Sequence, residues 1–250
     1  MEDELKQLAA DLRQWALAEQ HRGVVSVQPA TTAEESPQST SESRAADPWF
    51  DLAASSRSEG ARKTLGTVRS ELGDCRRCAL SQHRRNIVFG VGNEQADLLV
   101  IGEAPGYHED QQGEPFVGPA GQMLDKMLEN VIGLQRSQVY IANVVKCRPP
   151  NNRNPLPDEV AACRVFLEAQ FDAIQPKVVL VLGSVALKTI FDTNDGIKRC
   201  RGKWREWRGV PVMPTFHPAY LLRNAADKRL TFHDLKALRA RYDSVAGMRP

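Results

Sequence analysis

The sequence predicts an α/β fold, a three-layer α/β/α sandwich around a central, mostly parallel four-stranded sheet. Two observations carry this. The short continuous apolar runs Leu98 to Ile101, Val139 to Val145 and Val178 to Leu182 have the length and composition of strands buried on both faces. They alternate with stretches of helical periodicity, and the order strand–helix–strand–helix–strand implies parallel strands joined by right-handed crossovers.

The chain of 250 residues has room for one such domain and an appendage. Its 33 Lys and Arg against 31 Asp and Glu leave a net charge of +2, so any nucleic-acid contact must come from local patches. It has no apolar run of transmembrane length, and the acidic start MEDELKQL does not read as a signal peptide. A cytoplasmic protein without membrane contact, acting as a monomer, is expected. Five cysteines, an odd number in such a chain, argue against a disulfide framework and leave metal or cluster ligation or scattered buried thiols.

In chain order, Leu5, Leu8, Leu12 and Trp15 mark a short amphipathic helix within residues 1–22, a candidate docking element for a protein partner. Residues 23–62, rich in Ser, Thr, Pro and acidic groups, read as a disordered linker. The domain then occupies 63–250. Leu65, Val68 and Leu72 mark a helix ending at Gly73, directly before Cys75-x-x-Cys78, a spacing shared by redox pairs and structural zinc. Ile87 to Phe89 read as a short strand before a glycine turn. Met123 to Ile132 form a helix covering the sheet, and a further helix over about 158–174 carries Cys163. Residues 185–191 form the helix after the third strand. Trp204 to Trp207 and Val210 to Met213 suggest a hairpin presenting the basic run 198–208, and an amphipathic helix closes the chain.

The chemistry-bearing residues gather at strand ends, where open α/β sheets bind ligands. After Ile101 comes GEAPGYHEDQQGEPFVGPAG, with four acidic residues close together, the aromatic Phe116 standing between Pro115 and Val117, and glycines that permit close backbone approach. This is a binding loop or a tight strand-to-helix connection. Asn143, a polar residue inside an apolar strand, is a structural bridge or a ligand-reading amide. Cys147 follows it, then the Pro- and Asn-rich loop RPPNNRNPLP. His217 lies in a Pro-bounded turn, and a lone His is more often structural than catalytic.

Together these pieces resemble one family. GEAPG at 102–106 with ED at 109–110, GEPFVGPAG at 113–121, NVVKCRPPNNRNP at 143–155, TFHPAYLLR at 215–223 and Cys75-x-x-Cys78 are similar to the motifs of the family 4, iron–sulfur uracil-DNA glycosylases. The resemblance spans about 63–245. It implies DNA repair by flipping uracil out of single- or double-stranded DNA and hydrolysing its N-glycosidic bond. It also implies a [4Fe–4S] cluster held by Cys75, Cys78, Cys147 and Cys163, leaving Cys200 over.

The same resemblance supplies roles. Phe116 would stack on the flipped base, Asn143 would read O4 and N3–H, and His217 would donate to O2 as negative charge develops. The backbone of Gly102, Glu103 and Ala104 would line the pocket. The Asp that other branches carry third in the first motif is Ala104 here, so Glu103 and Glu109 compete for the water-positioning role, with Glu109 alternatively walling off a thymine methyl. Pro218, Leu221, Leu222 and Arg223 match the segment that enters the minor groove and fills the vacated space, and the hairpin 198–208 would meet phosphates. Two rivals are a branch that traps DNA covalently through a His in a basic loop, which CRPPNNRNPLP lacks, and a catalytically silent DNA-binding module.

Overall fold

A computed structural model describes residues 63–246, so the helix expected in 1–22 and the linker expected in 23–62 lie outside the described residues. Four parallel strands form the centre of the sheet: β2 (Leu98–Gly102), β3 (Tyr140–Asn143), β4 (Val178–Leu182) and β6 (Val210–Thr215). Two short antiparallel strands, β1 (Val91–Gly92) beside β3 and β5 (Arg205–Trp207) beside β6, extend it to six in the order β1-β3-β2-β4-β6-β5. The expected four-stranded sheet is therefore the parallel core of a six-stranded one. The strand expected at Ile87–Phe89 falls instead at Val91–Gly92, where Gly92 presses against the Val139 carbonyl so closely that a Cβ would lie 2.0 Å from its oxygen.

Side chains alternate across the strands. Leu99, Ile101, Val179, Val181 and Val212 join one buried cluster with residues of α1 (Leu65–Leu72), α4 (Pro157–Ile174) and α5 (Gly183–Phe191). The alternate residues Leu98, Val100, Leu180, Leu182 and Met213 are fully buried on the other face, the side of α3 (Pro119–Met127) and α8 (Lys228–Val245). Between these, α2 (Tyr107–Gln112), α6 (Ile197–Cys200) and α7 (Pro218–Arg223) are short. Among the described residues no helix is long and apolar enough to cross a membrane.

The parallel core has a consequence for the basic run. All four strands point the same way, so Gly102, Asn143, Gly183 and the residues after Thr215 meet at one end, and the Arg208–Gly209 turn before β6 lies at the other. Arg201 is paired with Asp234, Arg205 with Asp195 at 3.1 Å and Arg208 with Asp172 at 2.8 Å. The hairpin is present, but its arginines are neutralised by acids distant in sequence and its turn is remote from the strand ends where a ligand would sit.

One buried polar group fixes the exit of β3. Lys146 has no exposed surface, and its Nζ donates to the Asn143 carbonyl at 2.7 Å and to Gln170 Oε1 at 2.6 Å. Gln170 Nε2 in turn donates to the Phe89 carbonyl at 2.9 Å. Burial pushes the ammonium down to about 8, against the opposing effect of Cys163. Lys146→Met keeps the stem but strands two buried acceptors, and is expected to lower stability by about 2–3 kcal/mol, read as a shifted urea midpoint at constant slope.

Candidate active site

The carboxyl ends of β2, β3 and β6 open into a cleft of about 400 Å³. Its lining brings together Glu103, Ala104, Glu109, Phe116, Asn143, His217 and Arg223 from four separate segments. Gly102 lies under it: a Cβ there would come within 2.4 Å of Asn143 Oδ1 and 2.5 Å of the Phe116 ring. The missing side chain is what lets the ring and the amide close on the strand end.

Phe116 holds a left-handed backbone conformation, φ 55°, which costs a non-glycine residue of order 1 kcal/mol and persists only where neighbours impose it. Gly121, in the first turn of α3, packs so tightly on it that a Cβ would sit 1.9 Å from the Phe116 carbonyl oxygen. The ring faces the His217 imidazole, centroids 5.5 Å apart and planes 28° from parallel. Asn143 is 2% exposed, and its Oδ1 is buried without a hydrogen-bond partner. An orphaned buried acceptor is costly, and here it faces a cleft.

His217 is positioned by the backbone. The Ala219 N–H donates to His217 Nδ1 at 3.2 Å, so the neutral ring carries its proton on Nε2. Burial lowers its pKa to about 4, Glu109 opposing and Arg223 adding to the effect. Gly183, at φ 89°, lets the His217 Cβ approach to van der Waals limits. The two candidate carboxylates differ in kind. Glu109 accepts from the backbone N–H groups of Gly106 at 3.0 Å, Val117 at 3.0 Å and Gly118 at 3.1 Å. Glu103 is half-buried in the cleft wall, and burial raises its carboxyl above the ordinary 4.5.

Of the four residues expected at the DNA, Pro218 and Leu221 are buried, Leu221 only 1% exposed in the contact between α7 and α3. They form the base of the segment, so the groups it presents outward are Leu222, 43% exposed, and Arg223. The opposite wall is one that sequence reasoning missed. Pro149, Asn152, Arg153 and Asn154 line the cleft, and Arg153 forms a two-pronged pair with the buried Glu159, 2.6 and 2.8 Å. Glu159 also accepts from the Leu156 N–H at 2.7 Å, anchoring the loop to the start of α4. Asn151 and Asn152 at positive φ were the available signal, Asn being the non-glycine residue that tolerates it.

None of the five cysteines, all among the described residues, is in a disulfide. Cys147 and Cys163 are buried, Cys75 and Cys78 partly so. Burial pushes the Cys147 thiol up to about 11, Arg84 opposing and Cys163 and Cys78 adding; burial likewise raises Cys163, with Cys78 and Cys75 adding. The four therefore share one neighbourhood. Their sulfurs accept from Arg77 Nη1 at 3.3 Å, Arg84 Nη1 at 3.5 Å and the Lys146 N–H at 3.3 Å. Among the described residues no three His, Cys, Asp or Glu side chains close around a single metal ion. An all-sulfur set with N–H and guanidinium donors around it fits an anionic cluster, whose thiolates each bind a different iron and stand further apart than ligands of one ion. Cys200 lies elsewhere, buried with Arg205 donating to its sulfur at 3.2 Å.

Comparison with known proteins converges on this arrangement. Residues 89–238 match the model of the uracil DNA glycosylase superfamily. A type-4 uracil-DNA glycosylase of Thermotoga maritima is 46% identical over 166 residues, 65% of this chain and 86% of the relative. Those of Archaeoglobus fulgidus and Sulfurisphaera tokodaii are 46% and 42% identical, over 64% and 70% of this chain and 84% of each relative. With the matched region holding every strand from the sheet's core and the whole cleft, the chain belongs to the uracil-DNA glycosylase superfamily and, within it, to the type-4 uracil-DNA glycosylases.

Proposed function

We propose that the chain excises uracil from single- and double-stranded DNA, leaving an abasic site. The observation that carries this reading is the unpartnered Asn143 Oδ1 at the floor of a cleft walled by Phe116 and His217. A uracil N3–H satisfies that acceptor and the amide NH₂ can donate to O4. Cytosine presents an acceptor at N3 and a donor at C4, so both contacts fail. Phe116 supplies the stacking face. A silent DNA-binding module has no use for such a floor and is not favoured.

In the reaction, water attacks the anomeric carbon as the C–N bond to uracil breaks. The electron pair leaves with the base, its charge placed on O2, where the His217 Nε2–H donates. Water's proton passes to Glu103, the carboxylate without saturating hydrogen bonds. Glu109, held by three N–H donors, positions the loop and walls the cleft. Leu222 and Arg223 meet the DNA beside the flipped nucleotide. Cys75, Cys78, Cys147 and Cys163 would hold a [4Fe–4S] cluster, which supplies when bound a crosslink between the segment before the sheet, the exit of β3 and α4.

The first test is incubation with a uracil-containing oligonucleotide, where an abasic site is expected; a covalent adduct or intact DNA would refute the reading. Glu103 must be ionised to accept a proton, so activity is expected to rise as pH climbs through a pKa above 4.5, while His217, neutral above about 4, donates throughout that limb. Glu103→Gln is expected to abolish the limb and lower kcat by about 10²–10⁴-fold with the unfolding midpoint unchanged. Glu109→Gln turns an NH₂ toward a backbone donor and is expected to lower the midpoint and the activity together.

For the cluster, purified protein is expected to be brown and to contain iron and acid-labile sulfide in equal amounts. Cys147→Ala is expected to lose both, along with thermal stability. Zinc in place of iron in colourless protein would show a different occupant.

A further inference from the structure

Tyr107 follows Gly106, a residue of the cleft wall, and its ring is 53% exposed. Arg148 lies over one face of that ring, its guanidinium carbon 5.1 Å from the centroid. Arg148 Nε also donates to Asn152 Oδ1 at 2.8 Å, and Asn152 belongs to the opposite wall. The pair thus spans the two walls beside the cleft. Arg148 on one face and His108, whose ring lies 5.5 Å away at 83° to it, order the ring while leaving it half exposed, so little conformational entropy is lost when something stacks on its exposed surface. Arg153, Arg201, Arg205 and Arg208 each engage a carboxylate. Arg148 engages none among the described residues, which leaves its outer N–H groups for a phosphate.

An ordered aromatic backed by an unneutralised guanidinium, at the edge of a base-sized cleft, is the combination that binds single-stranded nucleic acid. We infer that Tyr107 and Arg148 form a stacking subsite for the nucleobase adjacent to the flipped uracil, used chiefly on single-stranded DNA; this rests on the uracil-excision reading. In a duplex the adjacent base stays paired and stacked within its own helix. In a single strand it loses a neighbour when uracil leaves the stack, and the Tyr107 ring replaces that neighbour.

The test is steady-state excision by Tyr107→Ala, Tyr107→Phe and Arg148→Ala on one uracil oligonucleotide, single-stranded and annealed. Tyr107→Ala is expected to raise KM on the single strand about tenfold, the usual size of one base–aromatic stack, with kcat and the unfolding midpoint held and duplex KM changed less than twofold. Tyr107→Phe is expected to retain the wild-type KM, because the ring and not the hydroxyl stacks. Arg148→Ala is expected to raise KM on the single strand and flatten its salt dependence. An equal rise on both substrates, or no rise on either, would overturn the subsite while leaving uracil excision standing. A wild-type chain that released uracil from neither substrate would overturn both.

Discussion

The cleft depends on where one carboxylate finds its hydrogen bonds. Glu109 is 9% exposed and has no ion-pair partner among the described residues, so the cost of burying its charge is met by backbone N–H groups. One donor, Gly106, precedes α2; the other two, Val117 and Gly118, follow the loop after it. The same two oxygens therefore close both ends of α2 onto each other, and Phe116, the residue before Val117, is carried into its left-handed conformation. Gly121 admits that conformation by having no Cβ, and Gly102 admits the ring over the strand end. The Phe116 wall, strand end and helix start are a single mechanical unit with Glu109 at its centre.

A second unit holds the floor. The Asn143 carbonyl is clamped by the buried Lys146 amine while its buried side-chain oxygen, in a residue that lines the cleft, has no hydrogen-bond partner among the described residues. Lys146 ties this exit to α4 through Gln170, and its own N–H donates to the sulfur of Cys163 on the same helix. Cys147 comes next in the chain and Arg84 reaches its sulfur, the Cys75 carbonyl and Asp74 together. The Asn143 amide thus sits one short link from the cysteine neighbourhood. A rigid floor matters for selectivity, because an amide that could rotate would accept from cytosine as readily as it donates to uracil.

The parts of this architecture legible in the sequence were those whose residues are contiguous or periodic. The parallel strands announced themselves as unbroken apolar runs, and the cleft residues as polar interruptions at their ends. What escaped was set by pairing across long sequence distances. The basic hairpin read as a phosphate-facing ribbon because Asp172, Asp195 and Asp234, which pair with its arginines, lie outside the run. Lys146 carries no local signal, since nothing in its neighbours Val145 and Cys147 reveals that Gln170 and a carbonyl await its amine. Leu221 and Leu222 are indistinguishable in a motif, yet helical geometry turns one inward and the other out. Strands of two or three residues are too short to leave a period at all.

The different surroundings of the two glutamates, on which the proposed roles rest, follow from the same accounting. A carboxylate that accepts three backbone N–H bonds has most of its roughly four acceptor sites committed to the cradle that shapes the loop. A carboxylate partly desolvated and otherwise unengaged has the opposite character: burial makes it a better proton acceptor, and protonation disturbs nothing around it. Charge is distributed by the same logic over the surface. Arg201, Arg205 and Arg208 pair with carboxylates away from the cleft, as Arg153 does within its wall, while Arg223 at its rim and Arg148 beside it face no carboxylate among the described residues. With a net charge of only +2, any pull on a polyanion has to come from such locally unpaired cations at the cleft.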